Sequence, residues 1–250
     1  MNGDELKEFL SLVSKPVRYL GQEVHSIRKS PAEVKLKFCL AFPDVYEVGM
    51  SHLGIQILYH ILNEKKGVAC ERVFAPWDDM EKVLWAKRVP LSSLESSTPL
   101  NQFDIVGFSL QYELCYTNAL NMLDLSNIPL FSKDRDERSP LIIAGGPLAF
   151  NPAPVADFFD AMVIGDGEEV VSEICDLALQ WKEAKAKKED ILKSLSQLEG
   201  IYVPSLHREG QKIRKRVVYD INQIPFPTCP IVPYMKVVHD RLNIEIARGC

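Results

Sequence analysis

Four short stretches of the 250-residue chain bring together residue types suited to receiving a ligand. They are Phe42-Pro43-Asp44, Ser109-Leu110-Gln111, Gly145-Gly146-Pro147 and Gly165-Asp166-Gly167. Paired glycines let a backbone approach a ligand with no Cβ in the way. "GDGEE" opens a helical pattern, so its amides and the helix dipole can receive a polar group. Each glycine could equally do no more than turn strand into helix. His52, in "MSHLG", is of a metal-ligating type but begins an amphipathic run, where it could simply cap the helix or face solvent. Asp44, Tyr46, Glu47 and Glu113 could present polar groups to a pocket, though loop-building is the simpler role. Trp77 and Tyr112 could wall a pocket or pack in the core. Cys250 ends the strand-like run "RLNIEIARGC" and makes sense as the first cysteine of a motif that continues past it, although on spacing alone a free thiol is the simpler reading.

The elements that must position these residues follow from hydrophobic periodicity. Residues 1–33 form a lead-in, with a short amphipathic helix over 4–14 carrying leucines at 6, 10 and 12. From residue 34 strands and helices alternate. "VKLKFCLAF", "VACERVFAP", "FDIVGFSL", "PLIIAGG" and "DAMVIGD" read as strands. "SHLGIQILYHILN", "DDMEKVLWAK", "LCYTNALNMLDLSN", a short "PAPVADFF" and "EEVVSEICDLALQWKEAKA" read as helices. In the first of these helices Leu53, Ile57, Leu58 and Ile61 keep helical spacing. Such alternation predicts an α/β domain over 34–199, a doubly wound, flavodoxin-like parallel sheet of about five strands. In such a sheet ligands bind beyond the carboxyl ends of the strands, where the four stretches fall.

After residue 199 the pattern changes. Residues 200–239 read as a hairpin around "REGQK" followed by a proline-rich linker, "INQIPFPTCPIVPY"; residues 240–250 begin a new strand. The basic run Lys212–Arg216 could meet RNA, but a solvated hairpin is the simpler reading, and no aromatic residues are interleaved for base stacking.

Composition excludes several classes. The net charge of −5 carries no basic field for DNA or a membrane surface, and no apolar run approaches the ~20 residues of a membrane span. The N-terminus lacks the order of a signal peptide. Six scattered cysteines do not form a disulfide framework, and Cys39 and Cys175 fit core positions. A reduced, cytoplasmic protein is expected. Dinucleotide and P-loop glycine motifs are absent, and His25, His60, His207 and His239 do not cluster with cysteines at zinc spacing.

The order "FPDVYEVGMSHLGIQILYHILN", "GFSLQYE", "LIIAGGPLAFNPAPVADFFDAMVIGDGEE" resembles the N-terminal, cobalamin-binding-like domain of radical SAM proteins, specifically an uncharacterised branch of them. "INQIPFP" resembles the linker before their catalytic barrel, and "EIARGC" the first barrel strand running into a Cys-x3-Cys-x2-Cys motif. The resemblance covers the chain from about residue 16 onward. It implies that Cys250 is one of three thiolates holding a [4Fe-4S] cluster, whose open iron binds S-adenosylmethionine and cleaves it reductively to a 5′-deoxyadenosyl radical, given an electron donor.

The resemblance further implies that Ser109, with Leu110 beside it, and Gly145-Gly146 contact the nucleotide tail of a cobalamin, with Gly165 and Gly167 completing the rim. His52 departs from the cobalt-ligand pattern Asp-x-His-x-x-Gly: Met50 stands where the aspartate belongs, and Gly54 comes one residue early. Two other classes stay open: a non-catalytic corrinoid or small-ligand binding module, and a structural domain that docks RNA or a protein partner. The substrate cannot be read from these residues.

Overall fold

The computed structural model describes residues 8–248. Six strands form one sheet: β1 Leu36–Phe42, β2 Val68–Phe74, β3 Ile105–Ser109, β4 Leu141–Gly145, β5 Ala161–Val163 and β6 Ile201–Tyr202, in the order β2-β1-β3-β4-β5-β6. The first five are parallel and β6 runs antiparallel to β5. The helices are α1 Tyr46–Gly49, α2 Leu53–Glu64, α3 Asp78–Lys87, α4 Cys115–Leu125, α5 Glu168–Ala184 and α6 Lys188–Leu195. This is the doubly wound, flavodoxin-like α/β fold, with one antiparallel edge strand added.

Strand alternation divides the core in two. Leu36, Phe38 and Leu40 of β1, Ile105 of β3, Leu141 and Ile143 of β4, and Ala161 and Val163 of β5 pack with α2, α5 and α6. Cys39, Ala41, Val106, Phe108, Ile142, Ala144 and Met162 face the opposite way, onto α3 and α4. Both faces are therefore covered, which is why β3, β4 and β5 read as nearly unbroken apolar runs. Cys39 and Cys175 are wholly buried, as expected of small core residues.

Several elements differ from expectation. Of the N-terminal helix, residues 8–10 are helical in the described part; Phe9 and Val13 are its buried contacts, and Leu12 is exposed. The "PAPVADFF" segment is a six-residue 3-10 helix, Ala153–Phe158, with its prolines at the N-cap and in the first turn, where their missing amides cost no helical bond. The hairpin around 208–212 does not form. Its first arm becomes β6 on the edge of β5, while its second arm bridges Gly165 through Arg216. The open edge of β5 offers each arm more backbone partners than the arms offer one another. Residues 241–248 have no strand partner among the described residues. Helix α6 was not expected. It is short, and only Ile191 and Leu195, four residues apart, with Lys188, are buried.

Candidate functional site

A cleft of about 480 Å³ opens at the carboxyl ends of β1, β3, β4 and β5, between the sheet and helices α2 and α5. The sequence creates it by withholding side chains. On the face toward α2 and α5, β3 presents Ile105, then Gly107, then Ser109, while β4 presents Leu141, Ile143, then Gly145. The register sets Gly107 beside Ile143 and Ser109 beside Gly145. Toward the amino ends, large residues hold the helices against the sheet; toward the carboxyl ends, side chains shrink to hydrogen or a hydroxymethyl group. The helices do not bend in to follow, and the gap remains. Phe38, Leu40, Ile143 and Val163 floor it; Leu58, Val170, Val171 and Ile174 form the helical walls. Leu58, one of the helically spaced apolar residues of α2, is one of these walls.

The structure brings His52, Ser109, Gly145, Gly146, Gly165 and Gly167 to this cleft. Leu110 stands apart. Its side chain is wholly buried in the opposite core, and it serves through its backbone, donating its amide to Gly145 O at 2.8 Å. Two glycines have reasons of their own. Gly146, at φ +99°, lies so close to Leu110 that an added Cβ would stand 2.5 Å from the Leu110 carbonyl oxygen. Gly165, at φ +115°, would put a Cβ 2.1 Å from Arg216 O. Both conformations and both contacts require glycine for chain packing, independent of any ligand. Gly145 is different: an added Cβ would meet only Val163, at an ordinary 3.6 Å. Cys250 lies outside the described residues.

A polar chain crosses the rim. Gln111 Nε2 donates to Ser109 Oγ at 2.7 Å, which leaves Gln111 Oε1 as an acceptor, 3.1 Å from His52 Nε2. The imidazole therefore carries its proton on Nε2, and Nδ1 is a buried acceptor with no hydrogen-bond partner among the described residues. Burial holds the His52 pKa below the ordinary histidine value, the bond to Gln111 opposing it. The unfolded chain then binds a proton at a higher pH than the folded one. Stability is lost as pH falls through the ordinary histidine range toward the folded value. In an NMR pH titration His52 is expected to change charge below 6.5, its unperturbed value; a midpoint at or above it would contradict the neutral, Gln111-bound ring.

Asp44 and Tyr112 bond to one another at the next loop, and that bond with burial raises the Tyr112 phenol to about 12. Glu47 is instead drawn into an ion pair with Arg18 at 2.8 Å, and faces the lead-in rather than the cleft. Trp77 is half-exposed and stacks on Arg18, whose guanidinium carbon lies 4.9 Å from its ring centre. Within Lys212–Arg216, Arg214 pairs with Glu199 at 2.8 Å, and Arg216 with Glu169 and Glu173 at 2.8 and 2.6 Å. Both arginines are thereby engaged within the domain. Sequence reasoning missed Glu245 and Arg248, which also line the cleft. They lie at least 77 residues further along the chain than the cleft's other polar groups, and no local pattern marks them.

Among the described residues no helix is long and apolar enough to cross a membrane, and no group of three or more His, Cys, Asp or Glu is placed to hold a metal ion.

Comparison with known proteins agrees with this architecture. An uncharacterized protein of Methanocaldococcus jannaschii is 24% identical over 218 residues, an alignment covering 84% of this chain. The chain spans 38% of that relative's length. The family described as radical SAM proteins, N-terminal, matches residues 54–204, from the start of α2 to just past β6 and more than half of the chain. The chain thus belongs to the radical SAM proteins, as their N-terminal region.

Proposed function

We propose that this domain seats a corrinoid for a radical SAM enzyme, with the cofactor's nucleotide end inserted into the cleft between the sheet and helices α2 and α5. The observation that carries the reading is the run of side-chain-poor positions, Gly107, Ser109 and Gly145, facing those helices above an apolar floor. A flat heteroaromatic base with its ribose needs such a slot: apolar walls for the ring, and a few polar groups at the mouth to fix orientation. Ser109, Gln111 and Glu168 offer those polar groups. The walls and the rim fit this part of the cofactor.

They fit a cobalt-ligating histidine less well. A metal-bound imidazole usually has a hydrogen-bonding partner behind its second nitrogen, most often a carboxylate or carbonyl. His52 has such a partner in Gln111, but the nitrogen left for a metal, Nδ1, is itself buried, and Met50 stands where the ligand pattern has its aspartate. We therefore give His52 the role of ordering the rim through Gln111, not of holding the metal. Cys250 would contribute one thiolate to a [4Fe-4S] cluster, which when bound supplies the electron that cleaves S-adenosylmethionine. The residues of this domain bind and orient: the sheet edge fixes the slot, and the apolar walls exclude water from the seated base.

The test is an absorbance titration of the full-length protein with hydroxocobalamin and, separately, with cobinamide, which keeps the corrin ring but lacks the nucleotide tail. Hydroxocobalamin is expected to bind with a Kd on the order of micromolar, and cobinamide at least about tenfold more weakly. Equal binding of the two would remove the tail from the cleft. Binding of neither would end the corrinoid reading.

A further inference from the structure

The residues leading to Arg248 cross the mouth of the cleft and are held there by charge. Arg248 Nη2 donates to Glu168 Oε1 at 2.6 Å and to Glu245 Oε2 at 2.7 Å, its Nε donates to Glu245 Oε1 at 2.8 Å, and its Nη1 lies 3.5 Å from Asp166 Oδ1. The segment alternates: Leu242, Ile244 and Ile246 are exposed, whereas Glu245 turns toward the cleft. With no strand partner among the described residues, it depends on these side-chain contacts for its position.

Glu168 is the anchor. It opens α5, where the helix dipole favours a negative charge. Its side chain is only 9% exposed, and it lines the cleft. One of its carboxylate oxygens receives Arg248; the other, Oε2, is buried and has no hydrogen-bond partner among the described residues. A buried carboxyl oxygen without a partner is costly unless something donates to it. A ligand amide or hydroxyl at the mouth would be such a donor.

We infer that Glu168 and Arg248 form a gate over the cleft: closed while Glu168 Oε1 holds Arg248, and open when that pair separates to admit a ligand whose amide or hydroxyl group then donates to Glu168 Oε2. The inference rests on the cleft being a ligand site.

The gate is tested with a probe that does not depend on the corrinoid reading, the neutral apolar dye N-phenyl-1-naphthylamine. Its association with the full-length protein is followed by stopped-flow fluorescence in wild type, Arg248→Met and Glu168→Gln. Both variants are expected to admit the dye about fivefold faster or more, the scale of one partly exposed ion-pair network. The wild-type rate should rise with salt as the gate is screened, and the variant rates should not. Equal rates in all three proteins, or a wild-type rate indifferent to salt, would overturn the gate whether or not a corrinoid binds. Faster dye access in the variants, together with no hydroxocobalamin binding by the wild type, would support the gate and reject the corrinoid.

Discussion

Replacing Arg72 with methionine is expected to destabilise the domain by about 3–5 kcal/mol, the cost of leaving buried charges without their partner. Against a total stability of roughly 5–15 kcal/mol for a domain, that is a large share. Arg72 is 1% exposed on edge strand β2. Its Nε donates to Glu95 Oε1 at 2.7 Å, its Nη2 to Glu23 Oε2 at 2.9 Å, and its Nη1 to Met50 Sδ at 2.9 Å. Tyr59 stacks on the guanidinium and Tyr46 donates to Glu23. One side chain thus ties the lead-in, through Glu23, and the loop after α3, through Glu95, to the sheet.

The variant also has a pH signature. Burial already holds Glu95 above the ordinary carboxylate range, with Arg72 pulling the other way. Without Arg72 the folded-state value climbs further, while the unfolded value stays at about 4.3. Between the two the folded protein binds more protons than the unfolded chain, so stability increases as pH falls. Urea denaturation should therefore show a deficit for Arg72→Met that is largest near pH 8 and shrinks toward pH 5. A triple variant that also carries Glu23→Gln and Glu95→Gln should recover more than half of it. A deficit below about 1 kcal/mol would place Arg72 among the weak surface pairs instead.

How much of this could be read before folding depends on whether the information is local. The central strands β3, β4 and β5 announce themselves because they are buried on both faces and so read as apolar runs, whereas β1 and edge strand β2 are recognised by their bounds and β-forming residues despite Lys37, Glu71 and Arg72. The cleft rim is visible for a related reason: "VGFSL", "LIIAGG" and "VIGDG" each pass from large apolar to small residues at a strand end. What cannot be seen there is which glycine serves which purpose. Gly146 and Gly165 are fixed by Leu110 and Arg216, partners 36 and 51 positions away in the chain, and only the folded register reveals them. Arg72 looks like an ordinary exposed strand residue in "VACERVFAP", because its carboxylates come from segments 49 positions before and 23 after it. The hairpin reading failed for the same reason. Two adjacent strand-like runs favour each other locally, but the free edge of β5 competes for both.

Gly145→Val is expected to weaken cleft binding strongly while leaving the fold in place, and neighbouring Gly146 supplies the contrast. Gly145 ends β4, pairs with Ser109 across β3, and stands above Ile143 on the face toward α2 and α5. Its φ lies outside the left-handed region, and a Cβ there meets only Val163 at 3.6 Å, a cleft-lining residue. A β-branched side chain suits the end of a strand, so the stability change should stay within about 1 kcal/mol. The valine methyl groups would project into the space proposed for the base, over the floor formed by Ile143 and Val163. Hydroxocobalamin affinity should fall by about thirtyfold or more, roughly 2 kcal/mol. Cobinamide, lacking the tail, should bind Gly145→Val and wild type alike. Gly146→Ala should do the reverse: its φ of +99° and the 2.5 Å approach to the Leu110 carbonyl oxygen strain the backbone itself, costing about 1–3 kcal/mol of stability. Denaturation curves and absorbance titrations on the two variants separate the roles. A folded Gly145→Val protein that binds hydroxocobalamin as wild type does would show that the tail lies elsewhere, and the gap between the sheet and helices α2 and α5 would have to be assigned to a smaller ligand or to none.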